Sequence, residues 1–454
     1  MNTFARISAK TPLLSACLAL TMAGPMLADR ATTVDLRDPA TLNSFCVDPD
    51  RDALCADYPD DQTDFSDKFV YMFINVATQA PFDVYSWQAF TSLNWSDTGR
   101  PVPAKNSDWR GFSRSSQVFG NDPVADYCGK IVNSAVVVTA ATRQADGNVL
   151  IDQNGNFVVY ETRLNPAAER YILDESLNTQ AGQIARGDRP VSFPQGRLGT
   201  EATPASVLIK TSWQILPPDA DTTGYITTDG VIHVPPGRSA NGQALCLRER
   251  LGMVGMHIVS RIQSGNGDEW LWSTFEHRRT APTAGNSRRV NAIFAKDLFP
   301  GGCSAPESGT SASYIFFDPD CPECPPNQPP EQDWMWADTQ PYARTGRVTL
   351  SRPSQIVRCW EVFEGAVELN RIWQNELRNT PLSNYQLIST QWRGADKSPM
   401  FENGEVPRFL TNTTMETFLQ ADSVGTCLGC HAAAETGTGK NANFTFLLSD
   451  PKDE

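Results

Sequence analysis

Five residues near the end of the sequence constrain this chain more than any other feature: Cys427-Leu428-Gly429-Cys430-His431. Two cysteines three positions apart, followed directly by a histidine, have the spacing that attaches a c-type haem. The cysteines bond to the two vinyl groups of the porphyrin, and the imidazole becomes the proximal iron ligand. The sequence therefore predicts one covalently attached haem c, held by Cys427, Cys430 and His431. The alternative is a C-x-x-C redox pair that happens to precede a histidine.

The position of this motif limits the fold. Only 23 residues follow His431, and they contain neither methionine nor histidine. In the common small cytochromes c the motif lies near the N-terminus, and a downstream methionine binds the other side of the iron. A distal ligand of either type must here come from upstream residues. We therefore expect a fold other than that of the ordinary small electron carriers.

The N-terminus has the pattern of a secretory signal. Arg6 and Lys10 precede an apolar, uncharged stretch over residues 12–27, and a cleavage site follows Ala28. An alternative is a lipoprotein box ending at Cys17, which would anchor the chain through a lipid. No later apolar run is long enough to cross a bilayer. We expect a periplasmic or secreted protein with no transmembrane segment in the mature chain.

Eight further cysteines remain after the signal and the motif are set aside: Cys46, Cys55, Cys128, Cys246, Cys303, Cys321, Cys324 and Cys359. An even number in an exported chain predicts up to four disulfides, with their pairing open. Cys321 and Cys324 lie in a proline-rich loop, which favours a structural disulfide over a thioredoxin-like redox pair. The net charge of −14 argues against nucleic acid and favours a redox partner protein or a small-molecule electron donor or acceptor.

Residue patterns predict an α+β fold with a β-rich centre, joined by disulfides. Helix-compatible spacing covers residues 64–95 and 354–377, and β signals cover residues 135–294, including a hairpin turn at Asn154-Gly155. A capping box at residues 413–416 predicts a short helix before the motif. We expect a signal peptide (1–28), a helical segment plus β-rich region (29–300), a Pro/Cys-rich connector (301–345) and a helical haem-attachment region (346–454).

Two of the three other histidines of the mature chain lie in a predicted hairpin. If Gln263 lies opposite Leu271, His257 faces His277, and a slip of one residue places Glu276 opposite His257 instead. Either register gathers these side chains near Arg278. His257 is the first candidate for a distal iron ligand, and Glu276, His277 and Arg278 are candidate catalytic residues. The alternative is that both histidines are hydrogen-bonded strand residues.

Several segments resemble exported single-haem "cytochrome c family" proteins whose motif lies at the C-terminus. They are residues 82–88, 255–257, 272–277, 412–417 and 444–448. This resemblance implies haem binding and export. Two other families also place the motif at the C-terminus. They are the four-helix cytochromes c prime, from which the β-rich centre departs, and a β-rich family that includes hydroxylamine-oxidising cytochromes. In the latter a lysine is cross-linked to the haem, and similarity to it makes Lys210 a candidate counterpart.

Two functions follow from these patterns. The first is an exported monohaem c-type cytochrome that transfers electrons. The second is a haem oxidoreductase with an open distal site that acts on peroxide, hydroxylamine or nitric oxide, with His257, Glu276, His277 and Arg278 forming the pocket. A non-enzymatic gas or redox sensor is a third reading. Whether the chain is an enzyme stays open at this point.

Overall fold

A nine-stranded β-sheet forms the centre of the described part of the chain. The computed structural model describes residues 58–59, 76–100, 108–131, 133–196, 205–262, 270–288, 302–306, 313–321, 323–393, 405–407, 409–421 and 426–453. All of them belong to one compact unit, Val34–Glu454. The predicted signal peptide, Cys17, Cys46 and Cys55 lie outside the described residues. The predicted region boundaries at residues 300 and 345 stay predictions.

The large sheet combines strands from most of the described chain. The strands of the structure are β1 (Ser113–Arg114), β2 (Val137–Thr139), β3 (Val159–Leu164), β4 (Val207–Ile215), β5 (Thr227–Val234), β6 (Leu245–Arg261), β7 (Trp270–His277), β8 (Thr283–Arg288), β9 (Trp334–Trp336), β10 (Ala343–Thr345), β11 (Thr349–Leu350), β12 (Arg358–Trp360), β13 (Tyr385–Arg393) and β14 (Glu405–Val406). The main path of the large sheet runs β1-β3-β4-β6-β7-β13-β14, and β5 pairs with both β2 and β6. The predicted turn at Asn154-Gly155 is confirmed, because Ile151 and Phe157 form a bridge on either side of it.

Strand β7 is an interior strand of this sheet and is covered on both faces. All eight of its residues are buried, and it pairs antiparallel with β6 on one side and β13 on the other. Aromatic and β-branched side chains make up much of its sequence and favour such a strand. Its alternate residues point to opposite faces, so Trp272, Thr274 and Glu276 share one face while Phe275 and His277 share the other.

Helices cover the face that carries Phe275. The α-helices are α1 (Val76–Leu93), α2 (Ser115–Val118), α3 (Pro123–Cys128), α4 (Pro166–Asp174), α5 (Gln180–Arg186), α6 (Glu364–Glu376) and α7 (Cys427–His431). On α1, Phe90 stacks on Phe275 at 4.3 Å between ring centroids, and Trp87 stacks on Trp373 of α6 at 5.7 Å. The Trp87 indole also donates to Asn370. These contacts leave the opposite face of β7 to the C-terminal segment.

Two helix predictions need adjustment. The described part of the first predicted helix is α1, and residues 64–75 lie outside the described residues. The helix predicted over residues 354–377 begins only at Glu364. The residues before it form β12, which pairs with β8 at Arg358 and Trp360, so sheet pairing overrides the helical spacing there.

The predicted register of the hairpin β6–β7 is wrong. His257 lies opposite Thr274, and Glu276 lies opposite Gly255. His277 pairs instead with Tyr385 of β13 and faces the opposite side of the sheet from His257. Alternation assigns each side chain to a face, but a long connection between the strands does not fix the register. The two histidines are therefore not neighbours.

Three disulfides are present among the described cysteines. They join Cys128 to Cys246, Cys303 to Cys359, and Cys321 to Cys324. The prediction of a disulfide-bearing α+β fold is confirmed. Within the described ranges, none of the helices combines the length and apolar character needed to cross a lipid bilayer.

Candidate functional site

The Cys-x-x-Cys-His motif forms helix α7, which lies against the sheet at the face that carries Thr274. Gln391 of β13 anchors its start, because its side chain accepts from the Leu428 N–H at 2.7 Å and donates to the Thr426 hydroxyl. Leu428 itself is buried in a cluster with Leu410 and Leu448. This anchoring places the Cys427 sulfur 4.0 Å from the Thr274 hydroxyl.

Cys427 and Cys430 carry free thiols, whereas the six other described cysteines are joined in disulfides. Cys427 is buried and Cys430 is partly exposed. Burial raises the pKa of both thiols, and the nearby Glu416 raises it further. Both sulfurs are therefore protonated at neutral pH in this environment and are unbonded to each other.

His431 is oriented by a backbone carbonyl. Its Nδ1 lies 2.8 Å from the carbonyl oxygen of Phe444. The turn that aims this carbonyl has two successive non-glycine residues in the left-handed region, Asn443 (φ 52°) and Phe444 (φ 66°). A bulky residue with positive φ is a marked departure from ordinary backbone and persists only where its surroundings hold it. When Nδ1–H donates to a carbonyl, the other ring nitrogen, Nε2, keeps a free lone pair. Metal-binding histidines usually have this arrangement.

Trp272 connects the motif to His257. Its ring lies 4.3 Å from the His431 ring between centroids, and its indole N–H donates a long hydrogen bond (3.4 Å) to Nδ1 of His257. The other nitrogen of His257, Nε2, is buried without a hydrogen-bond partner and lies 3.5 Å from a carboxylate oxygen of Glu416. Burial lowers the pKa of His257 well below its usual value, and Lys210 and His431 add to that shift. His257 is therefore a neutral imidazole with one unused nitrogen.

Lys210 and Glu416 complete the polar cluster at the motif. Lys210 lies directly opposite His257 on β4, and its ammonium lies 5.7 Å from the ring centroid of Tyr160. Burial raises the pKa of Glu416 to about 7, while Lys210 and the backbone N–H of Asn412 work in the opposite direction. The cluster thus holds one cation, one carboxyl that titrates near neutral pH and one neutral imidazole beside the two thiols.

The segment before the motif is held against the sheet by Asn412 and Glu276. The Asn412 amide donates to the carbonyl of Phe275, and the Asn412 backbone N–H donates to Glu416. Thr413 donates from both its N–H and its hydroxyl to Glu276, each at 2.6 Å. The predicted capping box is therefore wrong: the Thr413 hydroxyl binds Glu276, and only a 3₁₀ turn follows at Thr417–Leu419.

Glu276, His277 and Arg278 have three different surroundings. Glu276 is fully buried and forms an ion pair with Arg358, besides its bonds to Thr413. His277 has both ring nitrogens engaged, one with the carbonyl of Gly224 and the other with the N–H of Arg279, and burial lowers its pKa to about 3. Arg278 is exposed. Of the predicted distal cluster, only His257 is brought to the motif.

Some residues of this site carried no distinct signal in the sequence. Trp272 and Thr274 read only as strand residues, and Phe444 contributes a carbonyl that any residue possesses. Glu416 was noticeable only as part of a helix cap.

A separate group, Cys321, Glu323 and Cys324, has atoms close enough for a metal ion, but its sulfurs are joined in a disulfide.

No protein family, curated protein or solved structure matches this chain. What the site could hold therefore rests on its own donor set. Two unpaired thiols, an imidazole aligned by a carbonyl and an unused buried nitrogen on His257 fit a covalently attached haem. If a haem were bound here, these groups would offer two attachment points, a proximal ligand and one candidate distal ligand.

Proposed function

We propose that this chain is an exported c-type cytochrome that carries one haem c on Cys427 and Cys430, with His431 as proximal ligand, and transfers electrons. The observation that carries the proposal is the bond from His431 Nδ1 to the Phe444 carbonyl beside two free thiols. A carbonyl partner on Nδ1 directs Nε2 towards a metal and raises its basicity. The other C-x-x-C pair, Cys321 and Cys324, is joined in a disulfide and no histidine directly follows it.

Haem c supplies a one-electron iron couple whose potential depends on axial ligands, hydrogen bonds and burial. The residues of this chain would hold and orient the haem. Cys427 and Cys430 would fix the porphyrin edge, and His431 would bind the iron through Nε2. Because Cys430 and His431 are partly exposed, the site reaches the protein surface, which suits exchange of electrons with a redox partner protein or a small-molecule donor or acceptor.

His257 is our candidate for the distal ligand. Its ring stays neutral because burial lowers its pKa, and neutral imidazole is the form that binds metals. Its Nε2 is buried without a hydrogen-bond partner, which is costly unless another group uses that nitrogen. Two protein ligands would leave the iron to electron transfer alone.

Export is supported by the three disulfides, which persist in oxidising compartments such as the periplasm or the extracellular space. The same compartments are where c-type haem is attached. A signal peptide over residues 1–28 would direct the chain there, and lipidation at Cys17 remains the alternative form of its N-terminus.

The test is to express the chain in a host that attaches c-type haem and to stain the denatured protein for bound haem. We expect the wild type to stain and the double variant Cys427→Ala, Cys430→Ala not to stain. The matched control is Cys321→Ala, Cys324→Ala, which removes the other C-x-x-C pair and should retain haem. Haem that survives loss of Cys427 and Cys430 would overturn the proposal.

A second candidate function is a haem oxidoreductase that acts on a small molecule such as peroxide, hydroxylamine or nitric oxide. The cluster of Lys210, His257 and Glu416, in which His257 is buried and the other two are partly buried, favours it. An acid, a base and a cation beside the motif suit proton transfer to a bound substrate. Visible spectra of the reduced protein with and without carbon monoxide separate the two functions. Absorption bands that do not change when carbon monoxide is added support electron transfer. Bands that shift support the oxidoreductase, because carbon monoxide then binds an open distal position.

A further inference from the structure

A cavity of about 230 Å³ lies where β1, β2 and helices α2 and α3 come together, in the N-terminal half of the chain. Its polar lining includes Arg114, Asp122 and Lys130. Its apolar lining consists of Ala125, Ile131 and Val138. The haem-attachment motif uses none of these residues, so the cavity calls for an explanation of its own.

Arg114 is the buried cation of this cavity, with 4 % of its surface exposed. One terminal nitrogen donates to the carbonyls of Asn133 and Val136 at 3.4 and 3.3 Å. Its Nε lies 3.5 Å from a carboxylate oxygen of Glu161 but has no hydrogen-bond partner. This Nε is itself shielded from solvent, so its charge partner is the nearby Glu161 carboxylate.

Glu161 is already committed to another cation. Arg163 donates to both of its carboxylate oxygens, at 2.6 and 3.2 Å, and the Val138 N–H donates to it at 3.0 Å. One buried carboxylate thus serves two buried guanidinium groups, which leaves one positive charge in excess. Burial lowers the pKa of Arg114; the Glu161 and Asp122 carboxylates work against this shift, and Arg163 adds to it.

The remaining charges do not remove this excess. Lys130 adds a second cation to the lining, and Asp122 supplies one carboxylate. One oxygen of Asp122 already accepts from the backbone N–H groups of Val124 and Ala125 at the start of α3. Although the whole chain has a net charge of −14, this cavity is cationic and has an apolar wall.

We propose that this cavity binds a small organic carboxylate. Its oxyanion would be received by the Arg114 guanidinium and by Lys130, because charge-assisted hydrogen bonds to a carboxylate offset the positive charge in excess at this cavity. A short apolar body would lie against Ala125, Ile131 and Val138. A cavity of about 150 Å³ accommodates benzene, so the larger volume here suits a ligand of the size of benzoate or hexanoate. The site is independent of haem attachment.

The test is isothermal titration calorimetry on the full mature chain with benzoate and hexanoate at millimolar concentration. Benzyl alcohol and hexanol are the neutral controls, and inorganic phosphate tests an oxyanion without an apolar body. We expect saturable binding of the carboxylates, and binding weaker by about tenfold or more for the alcohols, since a hydrogen bond to a charged group contributes about 1.5–3 kcal/mol. Phosphate should bind more weakly than benzoate.

Two variants assign the binding to this cavity. Ala125→Leu fills the apolar side and should abolish binding, and Lys130→Gln removes the exposed cation and should weaken it about tenfold. Lys440→Gln, an exposed lysine paired with Asp188, is the matched control and should bind as the wild type does. Each variant is first checked for an unchanged melting temperature. Absence of saturable carboxylate binding, equal binding of the alcohols, or undiminished binding in Ala125→Leu would overturn the proposal.

Discussion

The Nδ1 atom of His431 lies 2.8 Å from the carbonyl oxygen of Phe444, and this contact depends on a strained turn. Asn443 and Phe444 both adopt positive φ angles, which rotate the carbonyl towards the imidazole. Asn443 is held in place by Arg261, which donates to its side chain at 2.8 Å, and by Trp270, which donates to its backbone carbonyl at 2.9 Å. The orientation of the motif histidine is thus set by residues far from it in sequence.

Replacement of Asn443 tests the cost of this turn. Asn443→Ala and Asn443→Gly both lose the side-chain bond to Arg261, but only glycine adopts positive φ freely. We expect the alanine variant to be less stable than the glycine variant by about 1 kcal/mol in urea unfolding, because a left-handed conformation costs a residue with a Cβ roughly 1–2 kcal/mol. Equal stabilities would mean that the backbone at Asn443 is not under strain.

Gly255 tests the close approach of the segment 412–416 to the sheet. A Cβ at this position would overlap the Thr414 hydroxyl and lie 2.7 Å from the hydroxyl oxygen of Ser212. We expect Gly255→Ala to lower the free energy of unfolding by about 1–3 kcal/mol through overpacking. Gly111→Ala is the control, since a Cβ there meets no atom within 4 Å. Adding Thr414→Ala to Gly255→Ala should recover part of the loss, and a loss left unchanged would place the strain elsewhere.

Glu276 is predicted here to act on stability by anchoring Thr413 and Arg358. Glu276→Gln leaves the Arg358 guanidinium buried without its counter-charge, and breaking a buried ion pair costs about 3–5 kcal/mol. We expect a loss of this order in chemical denaturation. Arg278→Gln, at an exposed neighbour, should change stability by less than about 0.5 kcal/mol. A Glu276→Gln variant that keeps the stability of the wild type but loses oxidoreductase activity would instead support a catalytic role for Glu276.

The sequence was informative where local patterns decide the structure. The α+β class, the turn at Asn154-Gly155 and the described part of α1 follow from strand, turn and helix signals within short segments. The Cys-x-x-Cys-His motif is likewise a local pattern, and haem attachment at it stays a proposal.

The surroundings of the motif depend on long-range pairing and could not be predicted in that way. The neighbours of His257 depend on the register of β6 with β4 and β7, which a long connection leaves free. That register brings Lys210 and Thr274 to His257 and sends His277 to the opposite face. The capping-box pattern at Thr413 gave way because a buried Glu276 offers its hydroxyl a stronger, charged acceptor.

The buried carboxyl of Asp83 should make the stability of the fold depend on pH, independently of the Cys-x-x-Cys-His motif. It lies buried on α1, where burial raises its pKa from 3.8 to about 7, and hydrogen bonds from Gln79 and Thr390 only partly offset this. Because the folded state holds this proton more tightly than the unfolded state does, its contribution is full below about pH 4 and declines as the pH rises to about 7.

Asp83→Asn should remove this decline. The amide oxygen can still accept from Gln79 and from the Thr390 N–H, but it carries no charge to desolvate. Relative to the wild type, the variant should gain stability from pH 4 to pH 7, by up to about 4 kcal/mol since each pKa unit corresponds to about 1.4 kcal/mol. Unfolding free energies of both proteins across this range give the difference directly. A difference that does not change with pH would show that Asp83 is ionised in both states.

The role of His257 is tested by spectra of the haem-loaded protein, and the prediction rests on the proposed haem. His257→Ala should leave haem attached, because attachment uses Cys427 and Cys430, but should convert low-spin bands to high-spin bands if its imidazole is the distal ligand. His277→Ala is the matched control. His277 is equally buried, but both of its nitrogens are engaged by Gly224 and Arg279 on the opposite face of the sheet. Its replacement should therefore cost stability without altering the spectrum. An unchanged spectrum in His257→Ala would remove this residue from the iron, and Lys210 and Glu416 would then form the cluster that faces an open distal position.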